Sequence, residues 1–404
     1  MRSKMIVSLL CVLLLLFAGC SVNGTNPPAD PSEDANTTDA PSSAPSEAPI
    51  VENEDGIEEN RFFNSSLAAV HDDVIYFTEE TPARKLRLTY VYDCKTGEVM
   101  PLCANPECSH DSTGCMAYYP STLGDLNYAF YNGELYFIGD LASKNGNKAV
   151  NVYACKPDGT NRRVAARLDW EYDALACQYF GIYDGTIYRG GMGSYVSGGK
   201  AVTGALVYSQ EMSDGSEPKE IFRTEEEIGI LICALAPGKL YFAMYEQNTT
   251  PIMRLYEYDT ATDELKQLFS GEAPYHAYRI SALEDRLVFH ESHGGLFFYM
   301  LDTGEIEKLE LDDAQHMAWI GDNSIYVGTS YTGYQCLDLE GRLLYEGERD
   351  PSLFHEEKQT KQYLGCSNGR FYSVYSSSDY RYFVVYDSNT DTWTVPWEAE
   401  IIKD

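Results

Sequence analysis

Short apolar stretches recur along residues 61–404, and each is interrupted by a turn residue at the same place. The first position of a nine-residue pattern is small in six of seven copies, the fifth is Gly, Asp or Asn, and the eighth is Tyr in six. This pattern predicts a strand, a tight turn with positive φ, and a second strand. The copies are AVHDDVIYF (69–77), AFYNGELYF (129–137), GIYDGTIYR (181–189), ALAPGKLYF (234–242), SALEDRLVF (281–289), WIGDNSIYV (319–327) and GCSNGRFYS (365–373).

A second apolar–turn–apolar segment follows each copy, for example YVYDCKTGEV and RLYEYDTATDEL, and predicts a second hairpin. Counted from the fifth position, the copies begin at 73, 133, 185, 238, 285, 323 and 369, in steps of 60, 52, 53, 47, 38 and 46. Four-stranded units of this length are typical of β-propeller blades, and the small first residues fit inner strands crowded near an axis. We therefore predict an all-β, seven-bladed β-propeller. The irregular steps of 60 and 38 leave six or eight blades as alternatives, whereas a pair of β-sandwiches does not explain seven copies.

The first twenty residues have the features of an export signal. MRSK is basic, and the apolar run that follows it, MIVSLLCVLLLLFAG, is too short to span a membrane comfortably. FAGC (17–20) resembles the bacterial lipobox, in which the cysteine after Ala-Gly is lipidated and becomes the mature N-terminus. The resemblance implies a lipoprotein signal peptide at 1–19, acyl chains on Cys20, and an outward-facing protein anchored to the cell membrane. An ordinary secretory signal with an incidental cysteine is the alternative.

Residues 20–60 predict a linker, because after Cys20 they contain six prolines and ten acidic residues but no Lys or Arg. Too few apolar residues are present to offset the entropy of ordering, so we expect a disordered spacer between the anchor and the propeller at 61–404. The whole chain has a formal net charge of −32. Such an acidic protein is repelled by phosphate backbones, so nucleic acid is not an expected partner.

The first blade carries an insertion at 101–120, and PLCANPECSHDSTGC (101–115) places three cysteines and a histidine within thirteen positions. Cys103, Cys108, His110 and Cys115 form a complete tetrahedral set for a structural Zn²⁺. Pro106 is expected to bend the chain between the first two cysteines, and on extended backbone Cys108 and His110 would share a face. In an oxidising compartment two of the cysteines could instead form a disulfide, or the cluster could do neither. A closed four-ligand site leaves no position for a substrate, so either cross-link is expected to be structural.

The hairpins DG-x-IYF and YD-x-x-TG, together with LCANPECSHDSTGC, resemble those of exported bacterial lipoproteins whose propeller is like that of the low-density-lipoprotein-receptor-related proteins. The hairpins are general to propellers, and the Cys/His segment is more particular. For this group the resemblance implies a fold and a cell-surface address, and little about activity.

The mouth of the central channel is the expected ligand site, because loops from all blades converge there. Aromatic rings around a polar mouth suit sugar rings or extended peptides, and plain packing between blades is the alternative for these residues. FHESH (289–293) predicts a solvated hairpin turn. The candidate ligand-binding residues, most of them just before each copy of the pattern, are Tyr128, Tyr179, Tyr278, Arg279, His316, Trp319 and Tyr363.

The sequence therefore favours a membrane-anchored binding or scaffold module for an extracellular glycan, peptide or partner protein. A propeller enzyme, either a hydrolase, a lyase or a cyclase acting on cell-wall or polysaccharide fragments, is the alternative. That alternative needs titratable groups in the channel, and only His276 and His316 are roughly placed for such a role. No catalytic residue is assigned.

Overall fold

The structure, a computed structural model, describes residues 68–71, 73–81, 86–119, 128–144, 147–169, 176–197, 200–213, 216–226, 228–246, 250–291, 295–309, 317–321, 323–328, 333–354 and 360–401. The predicted signal peptide (1–19), Cys20, the linker (20–60) and His316 lie outside these residues. Within the described ranges no helix is long and apolar enough to cross a membrane. All of the described residues belong to one compact unit, Ile50–Asp404.

Seven antiparallel sheets of four strands make up this unit, and in every sheet the strands are paired in chain order. We call the sheets blades 1 to 7. Blades 1 to 4 consist of β1 (Ala68–His71), β2 (Val74–Glu80), β3 (Arg87–Asp93), β4 (Glu98–Pro101); β5 (Tyr128–Tyr131), β6 (Glu134–Lys144), β7 (Asn147–Cys155), β8 (Arg163–Asp169); β9 (Ala176–Tyr183), β10 (Thr186–Ser197), β11 (Lys200–Glu211), β12 (Lys219–Thr224); and β13 (Ile228–Ala236), β14 (Lys239–Glu246), β15 (Ile252–Asp259), β16 (Glu264–Glu272).

Blades 5 to 7 consist of β17 (Ala277–Ala282), β18 (Arg286–Glu291), β19 (Leu296–Met300), β20 (Ile306–Leu309); β21 (Met317–Ile320), β22 (Ile325–Gly328), β23 (Gly333–Leu337), β24 (Leu343–Glu348); and β25 (Thr360–Ser367), β26 (Arg370–Ser376), β27 (Tyr380–Asp387), β28 (Thr392–Glu400). A 3-10 turn at Pro351–Leu353 follows blade 6. The first strands of blades 1 to 5 contact one another in sequence, and β1 also contacts β25 of blade 7. The second strand of blade 5, β18, contacts β21 of blade 6. The prediction of a seven-bladed β-propeller is therefore confirmed.

The residue that opens each sequence pattern, small in all blades but blade 6, lies on the innermost strand, and the structure adds a reason for its usual size. It is the direct cross-strand partner of the eighth residue of the same pattern, which is Tyr in six blades. Directly paired residues share a face and lie about 4.5–5.5 Å apart, so a small residue leaves room for the ring. The pairs are Ala69–Tyr76, Ala129–Tyr136, Gly181–Tyr188, Ala234–Tyr241, Ser281–Val288, Trp319–Tyr326 and Gly365–Tyr372.

The tight turns of the first hairpins follow the sequence prediction in four blades. Gly133, Gly185, Gly238 and Gly369 all have φ between 69° and 74°, where glycine carries no penalty because it lacks a Cβ. At Asp285, another fifth position, the prediction of positive φ is wrong. This hairpin turns with ordinary backbone, which aspartate supports through its side chain. The residues before Asp73 and Asn323 lie outside the described ranges, so positive φ at these two positions stays a prediction.

The tyrosines of the pattern pack between blades rather than on the surface. Tyr76 of blade 1 stacks near Phe130 of blade 2, with ring centroids 6.0 Å apart. Tyr372 of blade 7 approaches Tyr92 of blade 1 at 6.1 Å. Both tyrosines are buried, so the aromatic rings form the apolar layers that hold neighbouring blades together.

Candidate metal centre and channel residues

The Cys/His loop (residues 102–116) interrupts the outermost strand of blade 1. Before the loop, β4 covers residues 90–93 of β3. After the loop, residues 117–119 return to the same edge and cover the other end of β3, where the Thr89 N–H donates to the Ala117 carbonyl at 2.7 Å. The loop is thus an excursion from a split fourth strand. Any cross-link that closes the loop also fixes the second half of that strand.

Two local turns bend the loop back on itself. The Asn105 carbonyl accepts the Cys108 N–H at 3.2 Å, which makes a β-turn with Pro106 in its second position, as predicted. At His110 the backbone is left-handed, with φ 55°. The expectation that Cys108 and His110 share a face on extended backbone is therefore wrong. The left-handed turn, a conformation in which histidine is enriched, directs the imidazole instead.

The four predicted ligands converge in the structure. The Cys103, Cys108 and Cys115 sulfurs and a His110 ring nitrogen all lie within 4.8 Å of one another. The His110 Nδ1 is 3.3 Å from the Cys115 sulfur. In a tetrahedral zinc site with metal–sulfur bonds of about 2.3 Å, the ligand atoms are about 3.5–3.8 Å apart. The cluster therefore needs only a small contraction to enclose an ion.

The three cysteines are free thiols, and burial makes them unequal. Burial raises the pKa of the Cys115 thiol to about 12. Burial also disfavours the Cys103 thiolate, but hydrogen bonds with the Asn105 backbone and with the other two thiols outweigh it, so the pKa of Cys103 is lowered. Thiolates held this close repel one another, and a divalent cation is the group that relieves such repulsion.

Blade 2 clamps the returning end of the loop through Arg162, a residue that sequence reasoning missed. Its guanidinium donates to the Tyr118 carbonyl at 2.6 Å and to the Met116 carbonyl at 3.2 Å. It also lies over the rings of Phe137 and Tyr153, 5.0 Å from each centroid. No local signal in the sequence marks Arg162, because the two carbonyls to which it donates lie more than forty positions away.

The first end of the loop and the strand that follows it also rest on blade 2. A Cβ placed on Gly159, which has φ +82°, would lie 2.7 Å from the Leu102 carbonyl oxygen. The Tyr119 hydroxyl donates to the Ile138 carbonyl at 2.7 Å, and its ring packs 5.5 Å from that of Tyr128. The Cys/His loop thus lies where blades 1 and 2 meet.

Four of the predicted ligand-binding residues are buried between blades. Tyr128 hydrogen-bonds to the Thr89 hydroxyl at 2.8 Å, and Trp319 stacks on Tyr363 at 5.0 Å. Their placement is that of packing residues, which was the alternative interpretation of the sequence. A ligand role for these residues stays a prediction; they are Tyr128, Tyr179, Trp319 and Tyr363.

Tyr278 and Arg279 differ from those four, because both retain exposed surface on the innermost strand of blade 5. The Tyr278 side chain is 54% exposed, and Arg279 is half-buried. Beside Arg279, His290 is buried, and its ring nitrogens face the Ser281 hydroxyl at 3.3 Å and the Ala318 carbonyl at 3.4 Å. The expectation of a solvated turn at FHESH is therefore wrong at His290, because this histidine points into the interface with blade 6.

No protein-family model matches the chain, and no curated protein matches its sequence. Its fold is similar to part of two solved peptidases. Prolyl oligopeptidase B from Galerina marginata, solved with a 35mer substrate, gives a TM-score of 0.51 at 10% identity, over 82% of this chain and 50% of that one. A puromycin-hydrolyzing peptidase from Mycobacterium tuberculosis gives 0.51 at 10% identity, over 88% and 56%.

This chain thus spans about half the length of the peptidases that it resembles. At such low identity the likeness shows the fold alone. The fold and the comparisons together define the class of this protein. It is a seven-bladed β-propeller protein with a Cys/His cluster on its first blade.

Proposed function

We propose that this protein is an exported, lipid-anchored β-propeller that serves as a binding or scaffold module for an extracellular ligand. One observation carries the proposal. Among the described residues, the only cluster of His, Cys, Asp or Glu suited to a metal is the one in the Cys/His loop. It offers four protein ligands, which close a tetrahedral site, and it lies at the outer edge of blade 1. The role of this cluster is then structural. The remaining surface of the ring is the part of the protein that would bind the extracellular ligand.

We further propose that Cys103, Cys108, His110 and Cys115 bind one Zn²⁺. The convergence of one imidazole with three free thiols supports this ion, because a disulfide would use two sulfurs and strand the third along with the histidine. The ion would hold the loop closed and keep residues 117–119 on the edge of β3. This role needs no open coordination position.

Elemental analysis of full-length protein purified without oxygen or chelator tests the zinc site, together with a thiol count under denaturing conditions. We expect one zinc per chain and its loss in Cys108→Ser and His110→Ala. Cys94→Ser is the matched control, since Cys94 is also on blade 1 but contacts the Tyr372 hydroxyl at 3.3 Å rather than the cluster. A protein that contains no zinc and lacks two thiols would establish the disulfide instead.

The proposed cellular location of the protein rests on residues 1–60. Cleavage before Cys20 and acylation of its thiol would leave the propeller tethered to the membrane by a linker of forty residues, 21–60. The likeness of the Cys/His segment to that of lipoproteins with receptor-related propellers supports the same address. We expect Cys20→Ala to move the protein from the membrane fraction to the soluble fraction, and unchanged membrane retention would refute the anchor.

The enzyme alternative has less support from the geometry. His276 lies beside the ring of Tyr245 at 5.6 Å, and His290 is buried between blades 5 and 6. A glycan array and a pull-down with full-length Cys20→Ala protein test the binding role directly. Cleavage or rearrangement of cell-wall or polysaccharide fragments by the same protein would establish the hydrolase, lyase or cyclase instead.

A further inference from the structure

The innermost strand of blade 5 contains a β-bulge that changes the direction of one side chain. In the pairing of β17 with β18, Ala277 is opposite Glu291 and Arg279 is opposite His290, so Tyr278 has no partner. A bulge breaks the strict alternation of faces along a strand. Tyr278 is 54% exposed, whereas Ala277 and Ile280 on the same strand are fully buried.

Arg279 follows the bulge and lies on the face of the strand that is turned toward blade 6. As direct cross-strand partners, Arg279 and His290 share a face, and that face looks toward blade 6 because His290 approaches the Ala318 carbonyl. Arg279 is also close enough to Tyr363 of blade 7 to interact with it electrostatically. Arg279 and Tyr363 both lie on innermost strands, β17 and β25, so this interaction runs along the inner side of the ring.

Arg279 has no carboxylate partner in the part of the chain that the structure describes. Among the residues that the structure describes, no carboxylate forms an ion pair with it, whereas Arg286 of the same blade pairs with Asp285 at 2.7 Å. Its neighbours are neutral: burial lowers the pKa of His290 to about 4, and the Tyr363 hydroxyl donates to the Ile320 carbonyl at 3.3 Å.

A partly desolvated guanidinium with no anion is costly, and its planar donors match a carboxylate in a two-point contact. The exposed ring of Tyr278 next to it presents a flat apolar face with a polar edge. We propose that Arg279 and Tyr278 form a channel site for an acidic sugar, in which the guanidinium binds the carboxylate of a uronic acid and the tyrosine ring stacks on the apolar face of the pyranose. This inference rests on the proposed binding role.

The net charge of −32 restricts the ligand further. Long-range repulsion disfavours polyanions, while at physiological salt it is screened beyond about 8 Å and leaves a single local ion pair intact. The ligand class is therefore an oligosaccharide with isolated uronic acids rather than a continuous polyuronate.

Calorimetric titration of full-length Cys20→Ala protein tests the site with four probes. They are a disaccharide with one uronic acid, its uronate methyl ester, a short peptide with a free C-terminal carboxylate, and inorganic phosphate. We expect the acidic disaccharide to bind and the methyl ester, which keeps the ring but removes the charge, to bind about 10- to 100-fold more weakly. Equal binding of acid and ester would overturn the proposal, and so would binding of the peptide or phosphate without the sugar.

Variants separate a binding role from a structural one. We expect Arg279→Gln and Tyr278→Ala to weaken binding of the acidic disaccharide by about tenfold or more, and Tyr278→Phe and Arg286→Gln to leave it unchanged. Because Arg279 has no anion to lose, we expect Arg279→Gln to keep or raise the melting temperature. A lower melting temperature with unchanged binding would make Arg279 structural. If no probe binds but the pull-down finds another ligand, the acidic-sugar site is wrong and the binding module stands.

Discussion

The guanidinium of Arg381 on β27 forms an ion pair with the carboxylate of Glu79 on β2 across the seam where blade 7 meets blade 1, although 302 positions of sequence separate them. The same arginine reaches the Glu80 carboxylate at 3.0 Å. Each blade is built from consecutive strands, so none of the described strands is exchanged between the two ends of the ring. Side-chain contacts, including Phe77 against Phe383 at 4.7 Å, hold this seam.

We expect Arg381→Met to destabilise the seam strongly. The side chains of Glu79 and Arg381 are only 10% and 15% exposed, so the substitution leaves a buried carboxylate without its cation. Removing one member of a buried pair costs about 3 to 5 kcal/mol. Chemical denaturation measures this change in the free energy of unfolding, and Arg342→Met is the control because Arg342 pairs with Asp338 at the surface. An equal loss of unfolding free energy in the two variants would show that the buried pair at the seam contributes no more to stability than a surface pair.

The opposite substitution, Glu79→Gln, is expected to change stability by less than about 1 kcal/mol at neutral pH, because it removes a charge that burial disfavours while Arg381 keeps the Glu80 carboxylate as its partner at 3.0 Å. Desolvation raises the pKa of Glu79 above 4.5, despite the opposing effect of Arg381. The folded protein therefore holds this proton to a higher pH than the unfolded chain, and the contribution of Glu79 to stability falls as pH rises above about 4.5. Chemical denaturation at several pH values in this range measures the effect. We expect the free energy of unfolding to change less with pH in Glu79→Gln than in the wild-type protein. The same pH dependence in both proteins would contradict a raised pKa of Glu79.

Trp319 is the large residue at a position that six other blades keep small, and it fills space between blades 6 and 7. Its ring stacks on Tyr326 at 5.3 Å and on Tyr363 at 5.0 Å. Since it is only 5% exposed, we expect Trp319→Ala to cost about 3 to 5 kcal/mol. Thermal melts measure this, with the exposed Tyr278→Ala as the control. An unchanged melt for Trp319→Ala would favour a stacking platform in the channel.

Removal of the proposed zinc is expected to loosen one edge of blade 1 and leave distant blades intact. The ion closes the loop whose far end holds residues 117–119 on β3, so these amides should exchange faster after chelation. Hydrogen exchange of the Ala117 and Tyr119 region, compared with β14 in blade 4, measures the effect. Equally faster exchange in both regions, or no change in either region, would contradict a zinc ion that stabilises only this edge of blade 1.

Gly159→Ala tests the contact between the Cys/His loop and blade 2. The new Cβ would lie 2.7 Å from the Leu102 carbonyl oxygen, in a residue with φ +82°. Gly133→Ala is a matched control, because Gly133 has φ +72° and nothing within 4 Å of its Cβ. Both variants carry the penalty of left-handed backbone, about 1 kcal/mol or more. We expect Gly159→Ala to be about 1 to 2 kcal/mol worse than its control. Equal stabilities would mean that the loop shifts freely away from blade 2.

The sequence by itself determined the blades and the four candidate metal ligands, because both depend on short-range order. A hairpin is specified by alternation and turn residues within nine positions, and all seven residues that open the pattern, from Ala69 to Gly365, do lie on first strands. The cluster from Cys103 to Cys115 is likewise closed by turns within thirteen positions, although the left-handed backbone at His110 was not foreseen.

Only the tertiary structure decided which side chains face the channel and which contacts close the ring. Arg162 reaches the Cys/His loop from blade 2, Arg381 reaches Glu79 across the seam, and Arg279 interacts electrostatically with Tyr363 two blades away. A periodic pattern assigns a residue to a face of a strand but not to a neighbour. The bulge at Tyr278 shifts even that assignment, because one extra residue in a strand reverses the alternation on which the pattern depends.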